Sequence, residues 1–168
     1  MTAEYSANAA QDILSNGSVI FTNSPVQDTQ GLIFHRDESG IFRLASPSKI
    51  VGNCGGSWNW LCGKCNCCKV MPEALYEVEF HGNIAIPTGG TVGEISMAIA
   101  IDSVVDPSST MIVTPAAVGE FANVGAAIIV AVPAICGCES ISVVNTSDQT
   151  ITAQNSNLLI EFLGISNK

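Results

Sequence analysis

The sequence predicts an all-β fold, an antiparallel jelly-roll β-sandwich, on three observations. Large apolar residues recur at every second position in several stretches, which is the period of a half-buried strand. These stretches return roughly every 10 to 15 residues, separated by clusters of Gly, Pro, Asn, Asp and Ser that read as turns. Beyond Leu14 no segment sustains the 3.6-residue period of a helix.

The elements follow in order. Glu4 to Leu14 reads as a short helix or an extended arm, so residues 1–17 are assigned to an N-terminal arm and 18–168 to the jelly-roll domain. "SVIFTN" (18–23) is the first expected strand. "GLIFHR" and "GIFRLA" flank "DESG" (37–40) and predict a hairpin. In "ALYEVEFHGNIAI" (74–86), Tyr76, Val78, Phe80, Ile84 and Ile86 share one face, while Glu77, Glu79 and His81 share the other. "PTGG" turns the chain into "EISMAIAID", where Ile95, Met97, Ile99 and Ile101 alternate with Ser96, Ala98 and Ala100.

"NVGAAIIVAV" (123–132) repeats that pattern, with Val124, Ile128, Val130 and Val132 opposite Gly125, Ala127 and Ala131. A strand with Ala and Gly on its second face is closely approached by something, and a second subunit is the natural candidate. "SISVVNTSDQTITAQ" predicts a hairpin around Asn145 to Gln149, and "NLLIEFLG" (157–164) closes the chain. Eight to ten strands are expected. The one abrupt change of composition, at about 47–72, reads as an insertion between strands.

Composition narrows the function. The net charge is -9, from 15 acidic against 6 basic residues, which argues against binding nucleic acid or an anionic membrane surface. Only 12% of residues are charged and 47% are hydrophobic, against about 25% charged in a typical soluble domain. That deficit points to surface buried between subunits. The start "MTAEYSANAAQDIL" lacks the basic head and apolar core of a signal peptide. The most apolar stretch, 123–137, is short for a membrane span and contains Pro133. A soluble protein made in the cytoplasm is expected.

The candidate chemistry is concentrated in the insertion, which holds five of the seven cysteines and both tryptophans. Cys62 and Cys65 form a CxxC, the spacing at which one turn presents two thiolates to a metal. With Cys54 and Cys68 they make a conceivable zinc quartet, since Gly55, Gly56 and Gly63 permit tight turns. Disulfides formed after release from the cell, or reduced thiols in a packed loop, account for the same residues, with Cys67 adjacent. Cys136 and Cys138, two apart, point to one face if extended, at a Cα separation of roughly 6.5–7 Å that suits a mutual disulfide poorly. They either meet the 54–68 segment or are small buried side chains near a turn. Trp58 and Trp60 either stack on a sugar or protein partner or pin the loop to the domain.

Catalytic signals are weak, and no enzyme is expected. His35 and His81 lie in strand-like segments outside any nucleophile motif, and no phosphate loop, HExxH or GxSxG is present. Glu77 and Glu79 have the spacing of paired acid/base carboxylates, but the polar side of a half-buried strand explains them better. Asp102 and Asp106, near a turn, are candidate calcium ligands or simply solvated.

The order of features from Ala74 onward resembles the jelly roll of tumour necrosis factor and the globular heads of complement and collagen-like proteins. The residues that carry this are "ALYEVEF" (74–80), "ISMAIAIDS" (95–103) leading into "DPSSTMIV", "FANVGAAIIVAVPA" (121–134) and "NLLIEFLG" (157–164). Similar sequences form the C-terminal domains of bacterial spore-surface collagen-like proteins. "YSANAAQ" (5–11), "HRDESG" (35–40) and "GNIAIPTGGTVG" (82–93) also resemble virion structural proteins of phages that infect gut Firmicutes.

The resemblance implies a homotrimer, with one sheet of each subunit packed about the threefold axis. It implies a non-enzymatic structural protein on the phage particle surface, a capsid decoration or head-fibre component. Its partners would be its own copies and the major capsid or other virion proteins. The alternative from another class is a surface or tail-tip module that binds glycans or a host protein, or a spore-surface structural protein.

Overall fold

The computed structural model describes residues 1–36, 39–47, 72–133 and 138–167. Among the described residues there are two antiparallel sheets of six strands each, where eight to ten strands are expected from the sequence. In chain order these are β1 (Thr2–Ala7), β2 (Gln11–Ile13), β3 (Asn23–Val26), β4 (Ile33–His35), β5 (Phe42–Ala45) and β6 (Pro72–Ala85). They continue with β7 (Ile95–Ile101), β8 (Val104–Val105), β9 (Met111–Val113), β10 (Ala122–Pro133), β11 (Cys138–Asn145) and β12 (Ile151–Asn167). The first sheet runs β10-β6-β12-β1-β3, with β2 on β12; the second runs β4-β5-β11-β7-β8, with β9 on β7.

The period-2 faces fall where the apolar pattern puts them. Tyr76, Val78, Phe80, Ile84 and Ile86 of the β6 segment are fully buried, as are Ile95, Met97 and Ile99 of β7. Each such side chain stabilises the fold by roughly 1.5–3 kcal/mol relative to exposure. Phe42 anchors one end of the core, with Tyr5, Phe21 and His35 rings at 4.6, 5.4 and 4.4 Å from its centroid. The expected hairpin of β4 and β5 is present, registered from Ile33↔Leu44 to His35↔Phe42.

Several expectations are corrected by pairing across the chain. Of the two readings of the N-terminal segment, the extended one holds and the helix does not: residues 2–7 form a sheet strand. β1 lies between β12 and β3, paired with β12 from Thr2↔Glu161 to Ala7↔Ser156, because Ala3, Tyr5 and Ala7 alternate as buried residues. Residues 18–23 are not one strand. The Val19 N–H donates to Val143 O in the second sheet, while Thr22 N–H donates to Ser6 O in the first, so the segment crosses between sheets. Val19 and Phe21 are buried by that crossing, which is why it reads as a strand.

Residues 140–154 do not form a hairpin. β11 pairs with β5 and β7, whereas β12 pairs with β1, β2 and β6. The turn between them is a corner from one sheet to the other, held by the buried Asn145. Its Nδ2 donates to Ile13 O at 2.9 Å and Gln149 O at 2.8 Å, and its Oδ1 accepts from Ser147 N–H at 2.8 Å. β12 stays in register over 17 residues only by bulging twice, between Gln154 and Asn157 and between Phe162 and Gly164. Gly164 sits at φ +141° in the second bulge, a region that favours glycine.

Candidate functional site

Cys54, Cys62, Cys65, Cys68, Trp58 and Trp60 lie outside the described residues, as do Cys67 and Cys136. The stems of the two connections that carry six of the seven cysteines are nevertheless described, and they are paired. Cys138, which opens β11, stands opposite Ala45, which ends β5. Pro133, which ends β10, stands opposite Glu73 near the start of β6. The chain therefore leaves for the cysteine-rich segment beside one stem of the 134–137 connection and returns beside the other. Cys138 is exposed, and the Arg43 Nη2 donates to its Sγ at 3.4 Å. Among the described residues, no group of three or more His, Cys, Asp or Glu side chains is placed to hold a metal.

The second region is the outer face of the first sheet. Cross-strand register assembles it in rows: Gly125–His81–Asn157, Ala127–Glu79–Leu159 and Ile129–Glu77–Glu161 run from β10 through β6 to β12. Side chains directly opposite share a face and touch. Gly125, Ala127, Ile129 and Ala131 of β10 are all exposed, and Ile129 is 54% exposed.

The small residues of β10 and β7 divide into two kinds. At Gly125 the close neighbour is the chain's own His81, whose Nδ1 lies 2.5 Å from where a Cβ would stand. His81 Nε2 bonds Glu79 Oε1 at 2.7 Å. In β7, Ala98 and Ala100 are buried within the single chain. Of these small-residue stretches, the one from Ala127 to Ala131 keeps a bare apolar face. Glu77 and Glu79 share the face their spacing predicts; Glu79 is tied to His81, and Glu77 stands opposite Glu161.

Asp102 and Asp106 do not converge on a shared site; each holds its own turn. The Asp106 Oδ1 accepts from the Ser108 N–H and hydroxyl, capping a short 3-10 turn at Pro107–Ser109. Asp102 and Ser103 both have positive φ, +48° and +66°, in the tight turn between β7 and β8. The Asp102 Oδ1 accepts from Ser140 N–H at 2.8 Å and from its hydroxyl at 3.0 Å. A hydrogen bond from Glu139, then those from Ser140, hold the Asp102 carboxyl below its usual range. The same bond, followed by burial and the Asp102 charge, pushes Glu139 up to about 7. This coupled carboxyl pair was not legible in the sequence, because its members lie far apart along the chain and carry no motif.

No family model matches the chain, and no curated protein matches it. Among solved structures, the globular domain of zebrafish complement 1qA protein matches with a TM-score of 0.56 at 10% identity, over 96% of each chain. The fold is C1q-like. That likeness places the chain among tumour necrosis factor-like jelly rolls and, at 10% identity, carries the architecture alone. Among the described residues no helix is long and apolar enough to cross a membrane.

Proposed function

We propose that the protein is a non-enzymatic structural component that works as a homotrimer, a capsid decoration or head-fibre module of a bacteriophage. The observation that carries the trimer is the bare face of β10. Ala127, Ile129 and Ala131 lie outward on the end strand of a sheet, where an isolated chain leaves them wet. Leu163 and Ile165, 49% and 39% exposed near the end of β12, add to the uncovered apolar surface. A long edge strand with an apolar face invites pairing, and closed symmetry satisfies it without open-ended growth. The low fraction of charged residues and the C1q-like fold support the same reading.

The phage assignment rests on the resemblance of residues 5–11, 35–40 and 82–93. In this reading the mechanism is packing: apolar faces lock three subunits. Sedimentation of the purified chain at low micromolar concentration is expected to show one species of three times 17.5 kDa. A well-behaved 17.5 kDa species removes the proposal's foundation. Mass spectrometry of purified particles, finding the chain at the copy number of a repeated component, tests the location.

A further inference from the structure

The two sheets part at the β3 and β4 edges, the end strands of the first and second sheet. Between them lies a cleft of about 250 Å³, lined by Tyr5, Ser24, Gln27, Asp28, Phe34 and His35. Nothing in the trimer proposal uses it. Its wall is aromatic. The Tyr5 ring lies 5.0 Å from that of His35, which stacks on Phe42 at 4.4 Å and 14°. The His35 Nε2–H donates to Ser39 O at 2.9 Å, which fixes the ring. Phe34, 52% exposed, stands at the rim, and Val26, 44% exposed, ends β3 beside it.

The cleft is also negative. Asp28 is held rigidly: its Oδ1 accepts from Gln30 N–H, and its Oδ2 from Leu32 and Ile33 N–H. It makes no ion pair among the described residues, and its charge reaches the tyrosine hydroxyls. Burial first, and the Asp28 charge second, raise Tyr5 above its ordinary range and push Tyr76 up to about 12. The Tyr76 hydroxyl donates to Ala45 O, but the Tyr5 hydroxyl has no hydrogen-bond partner among the described residues. A fixed carboxylate without a cation, a π wall and an unused phenol oxygen are the three features a guanidinium uses together.

We infer that this cleft takes an arginine side chain of a partner protein, presented on an extended segment that runs along the β3 and β4 edges. Arginine suits it better than lysine because a planar guanidinium stacks on a ring while donating in its own plane to Asp28, Gln27 or the Tyr5 oxygen. An extended carrier suits it because strand ends of both sheets border the cleft, and Val26 and Phe34 offer apolar contact on either side. The site belongs to one chain and holds whatever the state of assembly.

The test uses the full chain, isotope-labelled, titrated with a capped Ser-Val-Arg-Val-Ser peptide and with its neutral citrulline counterpart. The arginine peptide is expected to shift the Tyr5 and Phe34 ring resonances saturably, with the citrulline peptide about tenfold weaker. Phe34→Ala and Asp28→Asn are each expected to weaken the arginine peptide severalfold; Phe34 is exposed, and asparagine retains an acceptor for the turn. Equal shifts from the two peptides, or no saturable shift from the arginine peptide, overturns the assignment. Sedimentation of the same sample reads the trimer separately, so either idea can fall without the other.

Discussion

The His81 imidazole occupies the space above Gly125 on the neighbouring strand, with Nδ1 2.5 Å from the position a Cβ would take. Any side chain at 125 must push the ring away from Glu79, its partner at 2.7 Å. Gly125→Ala is therefore expected to change stability by less than about 1 kcal/mol, because the exposed pair lost and the strand propensity gained nearly cancel. The ring displacement is what distinguishes it. At fixed pH, the His81 ring resonances of the variant should move from the parent's positions; unchanged resonances contradict the close approach.

Asn145→Ala is expected to destabilise the protein by about 3 kcal/mol or more, since two buried carbonyls lose a donor and one N–H loses an acceptor. Asn145→Asp should recover only part of the loss, because it restores the acceptor for Ser147 but neither donor. Urea unfolding of the three proteins measures both differences.

The Glu139–Asp102 pair makes stability depend on pH. Glu139 is raised to about 7, so its contribution is complete below the ordinary glutamate range and is lost as pH rises from there through about 7. Asp102 is lowered, so its contribution is present above the ordinary aspartate range and is lost only in stronger acid. Both groups are largely exposed, so solvent screening keeps the effect small. Thermal unfolding should show a modest fall in midpoint between pH 5 and 8. Glu139→Gln, which keeps a donor without titrating, should flatten it; a parent midpoint that rises over that range refutes the pairing.

Ile129→Glu tests the trimer face. Ile129 is half exposed in one chain, so the substitution should leave a lone subunit folded. In the proposed trimer it would bury carboxylates without partners, which costs several kcal/mol. The expected result is a 17.5 kDa species with an unchanged far-UV circular dichroism spectrum. A variant that still sediments as a trimer places the contact elsewhere on the surface.

Which residues face inward is legible from the chain's alternation alone. The alternation in "ALYEVEF" and "EISMAIA" names side chains that are all buried in β6 and β7, because a strand's period of two is a local property. It also reached the turn residues and the C1q-like order of strands from Ala74 onward. Tertiary structure decided which strands meet. Residues 140–154 have the alternation and turn of a hairpin yet cross between sheets, because Asn145 ties the corner to Ile13, more than a hundred residues away. The first residues are a sheet strand because β12 offers them an edge. Gly125 is bare for His81, and Asp102 pushes Glu139 up, through proximity of segments distant in the chain. Periodicity encodes a face and not a partner, since strand pairing is chosen by the whole set of edges competing to be covered.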